Sequence, residues 1–123
     1  MSSVSAVKAL VFDVFGTCVD WRTSLINDFT KWSETRGIKA DWTALVDGWR
    51  AVYAASMDEV RKHPERGYMI LDTLHRQSLE KLVAQFSVQG LTDADLHHLT
   101  MGWHRLHAWP DSVPGLTDRK SVV

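Results

Sequence analysis

The run Val7-Lys8-Ala9-Leu10-Val11-Phe12-Asp13 ends an apolar stretch in a carboxylate, and Val14-Phe15-Gly16-Thr17 follows at once. A carboxylate at the C-terminal tip of a buried parallel strand is where open α/β sheets place their chemistry. In water a carboxylate is strongly hydrated and a weak nucleophile. In a closed site with oriented donors it attacks electrophilic carbon. The plainer role for Asp13 is to cap the turn that follows a strand. Thr17 either hydrogen-bonds Asp13 or caps the turn itself. Gly16 permits a backbone conformation closed to other residues.

Two further groups of residues bear on chemistry. Arg50 lies at the edge of an apolar helical stripe, near Val46, Tyr53 and Met57. There it either lowers its guanidinium toward an anion or snorkels to solvent. His97, His98, His104 and His107 hint at a metal, with His104 and His107 one turn apart. No cysteine or carboxylate set completes such a site, and solvated helix faces account for them.

The elements that must position these residues follow from periodicity. Residues 7–13 read as a strand covered on both faces. Residues 21–36 read as a helix, with Asp20 as N-cap and Gly37 as its stop. Residues 42–62 read as one helix capped by Asp41, through Trp42, Leu45, Val46, Trp49, Val52, Tyr53, Met57 and Val60. Trp42 and Trp49 belong to its core face. Pro64 and Gly67 break that pattern. Residues 69–86 read as a helix through Ile70, Leu74, Leu82 and Phe86. Thr92 and Asp95 form a capping-box signature for a helix to His107. Pro110 and Pro114 mark a loop, and residues 121–123 read as the start of a second strand. One strand followed by four helices is physically odd, because a lone strand cannot satisfy its backbone donors and acceptors.

Composition bounds the rest. A chain of 123 residues with 45% hydrophobic residues supports one domain with a core. A net charge of −1 gives no electrostatic case for nucleic acid or an anionic membrane as partner. The single cysteine, Cys18, excludes an internal disulfide and fits a reducing cytosol. No signal peptide is read at the N-terminus, and the longest apolar run falls far short of a membrane span. A cytoplasmic protein is the expectation.

Phe12-Asp13-Val14-Phe15-Gly16-Thr17, followed by Asp20, resembles the first motif of the haloacid dehalogenase superfamily. Within it the chain is similar to the type II L-2-haloacid dehalogenases. The similarity runs through Trp21-Arg22, Gly48-Trp49-Arg50, Leu74-His75-Arg76, Trp103-His104-Arg105-Leu106 and Trp109-Pro110-Asp111-Ser112-Val113-Pro114-Gly115-Leu116. It covers nearly the whole chain. The resemblance implies an α/β fold with a doubly wound parallel sheet and a helical cap inserted after the first strand. Residues 1–19 would be the first strand and nucleophile loop, residues 20–108 a four-helix cap, and residues 109–123 the return to the core. This chain would then be mostly α. The family continues for as long again, supplying a Ser-Asn motif, a lysine and further carboxylates. The sequence therefore looks C-terminally truncated, and the chain alone is expected to be inactive or nearly so and prone to self-association.

The resemblance also implies roles. Asp13 would be the nucleophile, converting an (S)-2-haloacid to an (R)-2-hydroxyacid and halide through an aspartyl ester. Phosphatases of the superfamily carry a second Asp where this chain has Phe15. A leaving halide needs no proton, so an aromatic residue suits a dehalogenase, and core packing is the plainer role. Val14 and Phe15 would offer backbone N–H groups to the substrate carboxylate. Arg50 would meet that carboxylate or the halide, and Tyr68 would be a pocket aromatic. The implied partner is a small 2-haloacid, with a homodimer possible in the full-length family and no metal or cofactor required. Two alternatives stand beside this: a phosphatase of the same superfamily, and a non-catalytic helical module or truncated product.

Overall fold

The computed structural model describes residues 6–122, and side chains through residue 118. Contacts divide the chain into two compact units: Arg22–Arg105, and Met1–Trp21 with Leu106–Val123.

The larger unit is helical. Helix α1 (Trp21–Arg36) buries Leu25 and Phe29 completely. It ends as expected at Gly37, whose φ of +67° suits a residue without Cβ. The Ile38 N–H then turns back to the Ser33 carbonyl at 3.1 Å, closing the end in a Schellman arrangement. Helix α2 (Trp42–Ala51) starts where Asp41 accepts the Ala44 N–H. It buries Trp42, Leu45, Val46 and Trp49.

The single helix expected over 42–62 is two. Val52 has φ −88° and ψ −3°, and α3 (Tyr53–Lys62) follows it. The Ser56 hydroxyl donates to the Val52 carbonyl at 2.9 Å, a back-bond of the kind that bends helices. Helix α4 (Leu71–Gln85) buries Leu74, His75, Leu79 and Leu82.

Helix α5 (Asp93–Thr100) opens on the expected capping box. The Asp95 N–H reaches the Thr92 hydroxyl, and the Asp95 carboxylate accepts the Thr92 N–H. It stops at Thr100 rather than His107, and a 3₁₀ turn spans Met101–His104. Gly102 lies in that turn, packed so closely that a Cβ there would stand 2.8 Å from Phe29 Cε1 and 3.0 Å from Leu25 Cδ2.

The smaller unit has little regular structure. Strand β1 (Val19–Asp20) pairs antiparallel with β2 (His107–Ala108), Val19 opposite Ala108 and Asp20 opposite His107. Helix α6 (Ser112–Val122) occupies residues expected to be a loop and the start of a strand, while Val123 lies outside the described residues. Pro114 sits in its first turn, where a missing N–H breaks no intrahelical bond.

The expected strand over 7–13 is not formed. Residues 7–14 carry no regular structure and are exposed throughout. Strand pairing needs a neighbour of comparable length, and among the described residues the only strands are two residues long. No helix among the described residues is long and apolar enough to cross a membrane.

Candidate active site

Asp13 sits at the end of the exposed apolar run, in a turn tied by short hydrogen bonds. Of the two roles open to Thr17, the structure takes the first: its hydroxyl donates to Asp13 Oδ2 at 3.0 Å. That bond restrains the carboxylate's rotation and directs one oxygen inward to the turn. The Cys18 N–H donates to the Val14 carbonyl at 2.9 Å, and the Gly16 N–H to the Val19 carbonyl at 3.0 Å. Gly16 adopts φ +91°, the conformation its lack of a side chain permits. Phe15 is half-buried and bridges to Val19, while Val14 is exposed. Asp13, Val14, Phe15 and Thr17 therefore come together in one turn.

Sequence reasoning gave no role to the residues that fasten this turn. The Trp109 indole N–H donates to the Gly16 carbonyl at 2.9 Å, and the Trp109 backbone N–H to the Cys18 carbonyl at 3.1 Å. The Ser112 hydroxyl reaches the same Cys18 carbonyl at 2.5 Å. These partners lie more than 90 residues apart in sequence. No periodicity links positions so distant; only the motif resemblance drew in Trp109 and Ser112. A shallow hollow of about 190 Å³ beside the turn is lined by Phe12, Thr17, Cys18, Ser112 and Leu116 among others.

The remaining predicted site residues lie in the helical unit. Arg50 is half-buried at the end of α2, its guanidinium 4.7 Å above the Tyr53 ring. Such a cation–π contact orients the head group without neutralising it. Tyr68 lies in the connection before α4 and is 92% exposed. A groove of about 420 Å³ between α3 and α4 is lined by neither Arg50 nor Tyr68.

Beside Arg50 and Tyr53 lies a group that sequence reasoning passed over. His75 is only 5% exposed and stacks on Trp103 at 4.7 Å, with Trp49 edge-on at 5.8 Å. Neither ring nitrogen has a hydrogen-bond partner. Burial pushes its pKa down to about 4; Asp72 opposes the shift, while His104 and Arg50 reinforce it. His75 is therefore neutral at physiological pH. A lone histidine in an apolar helical stripe gave no warning of this, because its ring neighbours Trp49, Tyr53 and Trp103 come from three other elements.

Two other histidines have partners from distant segments. His104 pairs with Asp72 at 2.7 Å, and His98 stacks on Trp32 at 5.2 Å. Among the described residues, no three His, Cys, Asp or Glu side chains gather where they could hold a metal ion.

The chain is similar to solved dehalogenases. An L-2-haloacid dehalogenase matches at 43% identity and TM-score 0.78, over 89% of this chain and 46% of its own. A defluorinating L-2-haloacid dehalogenase matches at 36% identity and TM-score 0.82, over 98% of this chain and 51% of its own. A third dehalogenase, 21% identical with TM-score 0.70, shares the fold over 97% of this chain. This chain thus spans about half the length of the solved chains it matches. No protein-family model and no curated protein matches it.

Proposed function

This chain belongs to the L-2-haloacid dehalogenase family, and from that premise we propose that it carries the nucleophile and the anion-binding arginine of a hydrolytic dehalogenase. In this reading residues 20–108 are the cap insertion, and residues 1–19 and 109–123 belong to the core.

Asp13 is the nucleophile. A carboxylate oxygen forms a bond to C2 of an (S)-2-haloacid from the face opposite the halogen. The carbon–halogen bond breaks, its electron pair leaves with halide, and C2 inverts. The Thr17 bond to Oδ2 holds the carboxylate so that one oxygen is presented. Water then attacks the ester carbonyl at Asp13 Cγ, releasing an (R)-2-hydroxyacid and restoring the carboxylate. Phe15 supports carbon–halogen cleavage over phosphoryl transfer, since departing halide requires no acid. The Val14 and Phe15 N–H groups and Arg50 bind the substrate carboxylate or the halide, and Tyr68 contributes an aromatic wall.

The observation that carries this reading is the Asp13–Thr17 pair at 3.0 Å, set in a chain 43% and 36% identical to two L-2-haloacid dehalogenases. The test joins this chain to the unmatched half of the 43%-identical relative and measures chloride release from L-2-chloropropionate. Release is expected, and Asp13→Asn should lower it by about a thousandfold or more. Turnover in ¹⁸O-water should place label in the Asp13 side chain. A folded fusion that releases no chloride, or one in which Asp13→Asn keeps its rate, would refute the reading.

A further inference from the structure

Arg50 stands beside a break between two helices. It occupies the last turn of α2, and Val52 separates that helix from α3, which opens on Tyr53. The Arg50 guanidinium lies over the Tyr53 ring at 4.7 Å. At a helix break the angle between the two halves depends on what packs against them. Whatever fixes Trp49 on one side and Tyr53 on the other therefore fixes where Arg50 points.

His75 of α4 meets both sides of that break. Its carbonyl accepts the Trp49 indole N–H at 3.0 Å. Its ring lies 5.8 Å from the Trp49 ring and 6.1 Å from the Tyr53 ring, and stacks on Trp103 at 4.7 Å. Neither ring nitrogen has a hydrogen-bond partner, so hydrogen bonding does not hold the ring there. Burying an unpaired imidazole costs more than burying an aliphatic side chain of similar size. Packing alone would favour leucine; the imidazole supplies a flat ring that meets Trp103 and Tyr53 together. Burial keeps that ring neutral, so it does not repel the nearby guanidinium. We propose that His75 is a positioning residue for Arg50: its ring sets the Tyr53 ring on which the guanidinium rests, and so aims the cation at a carboxylate. The aim at a substrate rests on the dehalogenase reading; the placement of Arg50 does not.

Two readouts test it. In the chain by itself, the Tyr53 ring current should displace the proton resonance of Arg50 Nε–H. His75→Leu keeps the volume and loses the flat ring, and should abolish most of that displacement. His75→Phe keeps a flat ring and should retain it. Should His75→Leu not fold, the more adaptable His75→Met carries the same prediction. In the fusion with the unmatched half of the 43%-identical relative, His75→Leu should lower kcat/KM for L-2-chloropropionate by about fivefold or more, and His75→Phe by less than about twofold. Tyr53→Leu should lower it as much as His75→Leu does, and the double variant should be no worse, because both act through one ring. A residue that only fills the core would leave the Arg50 resonance in place and add its loss to that of Tyr53→Leu. An unmoved resonance in the folded His75→Leu chain, additive losses, or no rescue by His75→Phe overturns the proposal. A parent fusion that releases no chloride refutes the dehalogenase reading instead, and the resonance then decides the placement of Arg50.

Discussion

In Arg22–Arg105, Phe29, Leu45, Leu79 and Leu99 are fully buried, and the indole N–H groups of Trp42 and Trp49 reach Ser33 Oγ and the His75 carbonyl. In the unit that carries Asp13, the longest apolar run lies in solvent, and beside α6 and the short β1–β2 pair, order comes from a few bonds around one turn. The same physics gives both outcomes. Helices satisfy their own backbone, so four or five of them need only an apolar stripe each to close a core. A strand satisfies nothing alone. A carboxylate at the end of an apolar run that needs a sheet therefore inherits that dependence, and an arginine carried on a helix does not.

The contrast predicts where substitutions will register. Trp49→Ala should have the largest effect. The ring is packed against Phe29, His75 and Trp103, and its removal should cost about 3–5 kcal/mol in chemical denaturation. A loss below 1 kcal/mol would mean the helical unit is not the stable part of the molecule.

Acid should come next. The folded state holds His75 neutral, with its pKa near 4, against about 6.5 once unfolded. Above pH 6.5 both states are neutral there and nothing is lost. As pH falls from 6.5 toward 4 the unfolded state takes the proton first, so stability falls, by about 2.5 kcal/mol at pH 4.5. Burial against Trp32 and the nearby Arg105 lower the His98 pKa as well, in the same direction. Denaturation of His75→Phe at pH 7.5 and 4.5 should lose most of this dependence. An unchanged pH slope would assign it elsewhere.

Thr92→Ala should cost about 1 kcal/mol, since it opens one half of the capping box on α5. Smallest of all, Val11→Ser and Thr17→Ala should shift the helical unit's melting by less than about 0.5 kcal/mol. A larger shift from either would erase the contrast between the units.

What could be read from the chain beforehand divides along the same line. Gly37, Asp41 and the Thr92–Asp95 pair act within a turn of their own positions, so local chemistry announced them. Trp42 and Trp49 declared the core because helical spacing repeats every turn. The bend at Val52 did not, because it depends on one serine hydroxyl choosing a carbonyl four residues back. The close packing of Gly102 against Leu25 and Phe29 comes from a helix distant in sequence, and α6 depends on Pro114 falling in a first turn. At the site, Asp13 and Thr17 were legible as neighbours in a turn. Trp109, Ser112 and the burial of His75 were not, since each arises from contacts between distant segments.

Amide hydrogen exchange of the 123-residue chain by itself tests the central contrast most directly. The account predicts strong protection in α1, α2 and α4 around Phe29, Trp49 and Leu79, and exchange over residues 7–14 at the rate of an unstructured peptide. Protection of residues 7–14 equal to that of the helices would contradict it.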